Sequence, residues 1–195
     1  MGIRHSLIER HLDKMNLEPA NIILLIDFEG HPSLGSEFTN NQRFSTLNWL
    51  SNPVRNYPLV FVSNHIPHKH PKTEEMAKMV RVEQRHKWVT VHPDNSGIES
   101  IKIEVGKVGH SIKKVIIGGT NTSGCVFRHK PYCAVNWAKR GYDVQIAAEM
   151  VAEYQMPGTN GEERNQHAMA IMWRDVAKWD LFKKIQYVRN VDIDV

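Results

Sequence analysis

The sequence contains only two cysteines, Cys125 and Cys133, among 195 residues, too few for a disulfide framework. No apolar run approaches the roughly 20 residues that span a bilayer. The opening stretch, Met1 to Lys14, is broken by charges every few residues and has no signal-type apolar region. A cytoplasmic protein without a membrane partner is the expectation. Internal repeats, low-complexity tracts and linkers are also missing, so the chain reads as a single domain over 1–195. Disorder as the main state is excluded by the 41% hydrophobic content and the five Trp. The net charge of +4 is spread along the chain, and no basic motif with interleaved aromatics supports a nucleic-acid partner.

What is present is an alternation of strand-like and helix-like pieces. Asn21 to Ile26 is almost wholly apolar, as in a strand covered on both faces, and ends in Asp27. Pro58 to Ser63, Trp88 to His92, Lys114 to Gly119, Tyr142 to Ala147 and Lys184 to Val188 read as further strands. Helical spacing is found over Ser6 to Met15, up to about Leu50, over Thr73 to Gln84 and over Ile98 to Val108. Another helix is expected from Cys125 to Arg140, stopped by Gly141 and disturbed by Pro131. A last helix follows the Thr159–Glu162 capping pair and carries Ala168, Ile171, Met172, Val176 and Trp179 on one face. The pattern predicts an α/β fold, a mostly parallel sheet with helices on both faces.

In such sheets ligands bind beyond the carboxyl ends of the strands, which selects Asp27, the His65 region, His92 and the turn from Thr120 to Cys125. Cys125 opens a predicted helix, where the positive end of the dipole favours thiolate and unpaired amides can receive an oxyanion. Cys133 lies eight residues on, about 12 Å by helical rise, and reads as packing. Asp27, closing an apolar strand, is either a loop cap or an orienting base. The glycine-bearing turn Gly118 to Val126 is neither a Walker loop nor a dinucleotide fingerprint. It is not a hydrolase nucleophile elbow either, because Ser123 and Phe127 occupy the glycine places.

Asp27, the run Gly119-Thr120-Asn121-Thr122-Ser123-Gly124-Cys125-Val126, and then Gly141-Tyr142 before a strand together resemble the isochorismatase-like cysteine hydrolases. The resemblance covers about Asn21 to Ala177. It implies a three-layer α/β/α sandwich whose six-stranded sheet has the order 3-2-1-4-5-6, and an Asp-Lys-Cys triad acting on small amides. Asp27 would be the acid and Cys125 the nucleophile, with the amides of Gly124 and Cys125 facing the oxyanion and a cis peptide around Thr120-Asn121. Where the family has Lys, this chain has His92. Lys87, the nearest lysine upstream, is five residues back and points to the other face of its strand. An imidazole can complete a Cys-His-Asp relay. Glu29, Trp88, Ser96 and Thr122 are substrate-binding candidates.

His65, His68 and His70 are the candidate metal ligands. Against the metal set of the nicotinamidase branch, anchored on His70, Asn64 and Ile66 replace two ligands. The other reading is an exposed basic loop over the site mouth, and no cofactor is expected to be required. The resulting expectation is a homo-oligomeric hydrolase that cleaves a small amide or related C–N bond through a Cys125 thioester. Two alternatives stay open. One is a catalytically impaired member serving as a binding or oligomerisation module; the other is an isochorismatase-type hydrolase that does not use Cys as nucleophile.

Overall fold

The computed structural model describes residues 16–26, 59–63, 87–90, 97–153, 156, 158 and 161–189. In chain order these form β1 (Glu18–Ile26), β2 (Leu59–Ser63), β3 (Lys87–Thr90), α1 (Ile98–Lys107) and β4 (His110–Thr120). A π-helix (Thr122–His129), α2 (Ala134–Lys139), β5 (Asp143–Ala152), α3 (Gly161–Lys178) and β6 (Ile185–Val188) follow. The helices expected over Ser6 to Met15, up to Leu50 and over Thr73 to Gln84 lie outside the described residues, as does Thr159 of the capping pair. No helix among the described residues is long and apolar enough to cross a membrane.

The six strands form one sheet in the order β3-β2-β1-β4-β5-β6, and every neighbouring pair is parallel. The predicted α/β architecture with a parallel sheet is therefore present. β1 lies in the interior of the sheet because Ile22, Ile23, Leu24, Leu25 and Ile26 are all at most 1% exposed. Burying such a side chain contributes about 1.5–3 kcal/mol, so an edge position would forfeit much of what this run gains. Against the sheet pack α1, on β4 and β3, and α2, on β5 and β6. Phe127, Tyr132 and Trp137 extend the core beyond it.

After β1 the chain builds outward through β2 and β3, then crosses to the other side of β1 to form β4. The strand order reverses between β1 and β4, and at such a point a crevice opens beyond the carboxyl ends. Here Ile26 pairs with Gly119 and Leu25 with Gly118. Both glycines are required by close approach. A Cβ on Gly119 would collide with the carbonyl oxygen of Ile26, and Gly119 has φ +136, a backbone state that L side chains rarely adopt. A Cβ on Gly118 would stand 2.6 Å from Met150 Cβ.

Two expected elements are corrected. The continuous helix from Cys125 to Arg140 is instead a π-helix and a separate short α-helix. Lys130, which precedes Pro131, is extended at φ −87 and ψ 150, because the proline ring disfavours helical geometry in the residue before it. The strand expected to end at Ala147 runs to Ala152. Ile117 pairs with Ile146 but Gly119 with Val151, so two steps along β4 are matched by five along β5. That irregularity carries β5 past the point where its alternation ceases to read as a strand.

Gly119→Ala is expected to lower stability by about 3 kcal/mol or more, combining a disfavoured backbone state with a clash against main chain. Urea unfolding measures it; an unchanged midpoint would contradict the Ile26–Gly119 register.

Candidate functional site

The chain leaves β4 through Asn121, whose backbone is left-handed at φ 61 and ψ 70. Asn is among the few non-glycine residues that tolerate this region. The cis peptide expected around Thr120-Asn121 is absent, since the described residues contain none; the left-handed Asn121 makes the turn with trans bonds. The π-helix that follows is opened by Asn121, whose carbonyl accepts from the N–H of Val126 at 3.2 Å. Such wide turns are rare and concentrate at functional sites.

From Asn121 to Phe127 every residue is buried except Cys125, which is half-exposed. Asn121 holds this turn from both ends of its side chain. Its Oδ1 accepts from the N–H of Gly124 at 3.1 Å, and its Nδ2 donates to Cys125 Sγ at 3.7 Å. Gly124 must lack a side chain here, because a Cβ would strike Asn121 Oδ1. The Gly124 amide, expected to face an oxyanion, is therefore turned onto Asn121.

A second lock comes from Glu153, one residue past β5. Its carboxylate is fully buried and accepts from the N–H of Ser123 at 3.0 Å and from Ser123 Oγ at 2.9 Å. This satisfies one of the amides that a helix start leaves without an intrahelical partner and supplies the donors that a buried carboxylate demands. At the far end of the π-helix, Arg128 donates to Asp175 of α3 at 2.9 Å, and Phe127 stacks on Trp179 with centroids 6.4 Å apart. The turn carrying Cys125 is thus held at both its start and its finish.

Of the other expected residues, Thr122 is fully buried, and its Oγ1 has no hydrogen-bond partner, so it does not present its hydroxyl to solvent. Trp88 lies within β3. Asp27, Glu29, His92, Ser96, His65, His68 and His70 lie outside the described residues. The strands leading to three of these regions are placed: Leu25 pairs with Ser63, and Ser63 with Thr90. The ends of β1, β2 and β3 therefore share one edge of the sheet with the Asn121 turn. Among the described residues no group of three or more His, Cys, Asp or Glu could hold a metal ion.

Ser123 and Glu153 were not singled out from the sequence, and Asn121 was expected only as part of a peptide bond. Glu153 carries the signal that selected Asp27, a carboxylate just past an apolar strand, but it is displaced by the irregular end of β5. Cys133 is fully buried, and burial pushes its thiol up from the ordinary value of 9.0. That is the environment of a packing thiol, not of a nucleophile.

No protein-family model matches the chain, and no curated protein matches it. Among solved structures it is similar to the nicotinamidase SaPncA from Staphylococcus aureus, at 15% identity and TM-score 0.49, covering 86% of this chain and 98% of that one. It is also similar to YcaC from Pseudomonas aeruginosa, a structure with hexane-2,5-diol and covalent acrylamide, at 18% identity and TM-score 0.46, covering 87% of this chain and 76% of that one. Likenesses of this strength leave the chemistry to be argued from the residues.

Glu153→Ala is expected to cost about 3 kcal/mol, because it strands two buried donors of Ser123, whereas Ser123→Ala is expected to cost about 1 kcal/mol. Chemical denaturation of both variants checks the order. Iodoacetamide is expected to alkylate Cys125 in the folded protein far faster than Cys133, read by peptide mapping. Because folding raises the Cys133 value, its contribution to stability is complete below about 9 and declines as pH rises through the folded value. Unfolding midpoints taken between pH 8 and 11 are expected to fall less steeply in Cys133→Ala.

Proposed function

We propose that the chain is a single isochorismatase-like domain, a three-layer α/β/α sandwich, that hydrolyses a small amide or related C–N bond through Cys125. The observation that carries this reading is the position of Cys125. It is the one half-exposed residue in an otherwise buried turn, at the edge of the sheet where strand order reverses. A thiol used only for packing would be covered like Cys133.

In this reading the Cys125 sulfur attacks the substrate carbonyl carbon, and its proton passes to His92, oriented by Asp27. The carbonyl oxygen becomes an oxyanion received by backbone amides at the head of the π-helix. Collapse of that intermediate breaks the C–N bond, and His92 returns the proton to the departing nitrogen. Water then attacks the thioester carbonyl while His92 takes a proton from it. The acid leaves, and the proton restores the thiol. Two geometrical demands follow. The Gly124 amide joins the oxyanion site only by exchanging its two acceptors on Asn121, Oδ1 and the backbone carbonyl, for the oxyanion. β3 is separated from β4 by β2 and β1, about 14 Å at the usual strand spacing, so the segment after β3 must cross those strand ends to bring His92 to the sulfur. No cofactor is required by this chemistry. A cytoplasmic homo-oligomer acting on a small molecule, without nucleic acid or membrane, completes the proposal.

A panel of small amides scored for ammonia release, on wild type and Cys125→Ala together, tests it. Ammonia from wild type is expected, with a loss of at least about 1000-fold in Cys125→Ala and about 100-fold in His92→Ala. Equal release from both proteins would assign a reaction that does not use the thiol. No release from either would leave a binding module.

A further inference from the structure

The reading of Cys125 as nucleophile leaves open what the protein does to the sulfur itself, and the neighbouring asparagine answers that. We infer that Asn121 is a further catalytic residue of the Cys125 chemistry: its Nδ2–H group holds the sulfur and stabilises its anionic form, while its Oδ1 anchors the same side chain on the Gly124 amide. The inference rests on the proposed role of Cys125.

Three observations carry it. Asn121 is 5% exposed, so its amide dipole acts where water competes little and a hydrogen bond to a charged group is stronger than in water. The orientation of its amide is fixed by chemistry: the N–H of Gly124 lies 3.1 Å from one terminal atom, which must be the oxygen because only an acceptor can face a donor. The nitrogen is thereby directed at Cys125 Sγ, 3.7 Å away. Finally, the left-handed backbone of Asn121 and the bare Cα of Gly124 are both needed for this arrangement. Two unusual backbone features serve one contact to a thiol.

Charged groups on the surrounding elements are engaged elsewhere. Glu153 accepts from Ser123, Asp175 pairs with Arg128, and Lys139 lies over the Trp179 ring at 4.8 Å. The Asn121 amide is a polar group that the fold brings onto the sulfur, at 3.7 Å.

Asn121→Asp separates the two contacts. Aspartate tolerates the left-handed backbone and still accepts from the Gly124 amide, but it turns an anionic oxygen toward the sulfur where a donor stood. Alkylation of Cys125 by iodoacetamide at pH 7 is expected to slow about tenfold. The rate–pH profile moves to higher pH accordingly, while Cys133 is unaffected and the melting temperature holds within a few degrees. Should Asn121→Asp fail to fold, Asn121→Gly keeps the backbone state and removes both contacts; a slowing of about threefold is then expected. A Cys125 rate and profile equal to wild type in a folded variant of either kind overturns the inference. Ammonia release measured alongside keeps the two readings apart. Slowed alkylation in a protein that hydrolyses no amide supports the Asn121–sulfur coupling and removes only the hydrolase; amide hydrolysis lost with Cys125 but intact in Asn121→Asp, at wild-type alkylation rate, removes only Asn121.

Discussion

A carbonyl oxygen of β1 lies where a side chain at position 119 would begin, and the candidate site depends on that approach. Because Gly119 has no Cβ, β4 can lie against Ile26 to the end of both strands. The exits of β1 and β4 are thereby held one strand spacing apart, about 4.8 Å, at the point where the sheet order reverses. Any larger residue would push β4 outward and carry the following turn with it. Gly118 acts on the other side, admitting Met150 and with it the irregular pairing that lets β5 run on to Ala152. The adjacent glycines therefore set the separation of three strand ends, and the rest of the site is built on those ends.

On this frame the turn from Asn121 to Phe127 behaves as a clamp around one thiol. Asn121 grips it through Gly124 and Cys125, Glu153 through Ser123, and α3 through Arg128 and Phe127. Buried polar networks of this kind are costly when incomplete and rigid when complete. Here the completeness is local: the donors of Ser123 and Gly124 are engaged, whereas Thr122 Oγ1, fully buried between Asn121 and Ser123, has no hydrogen-bond partner. The contrast between the two cysteines follows from the same design. Cys133, at the start of α2, lies in the core with its thiol held in the neutral form by burial, while Cys125 is left half-exposed on a turn whose neighbours are all covered.

Much of the fold was legible from local composition. The run Ile22 to Ile26 reads as an interior strand because a strand covered on both faces has no use for alternation. Ile98 to Val108 reads as a helix because its apolar residues recur on one face. The end of β5 was not legible, since Glu149 and the small residues around it interrupt the strand pattern where the register shifts. Nor was the π-helix, whose sequence differs from that of an α-helix by nothing that spacing detects. Pro131 signalled a disturbance, and the structure places the break at Lys130.

The sequence by itself determined where the described strands and the helices α1 and α3 form, that Cys125 follows a strand in a glycine-bearing turn, and that Cys133 is packing, because these depend on the chemistry of neighbouring residues. The tertiary structure decided which carboxylate closes on that turn and why each glycine is there. Glu153 meets Ser123 across 30 positions of chain, and Gly119 meets the carbonyl of Ile26, some ninety residues earlier in the chain. Such contacts are set by strand order and register, which are properties of the assembled sheet. A one-residue slip would undo them while leaving almost every local pattern intact.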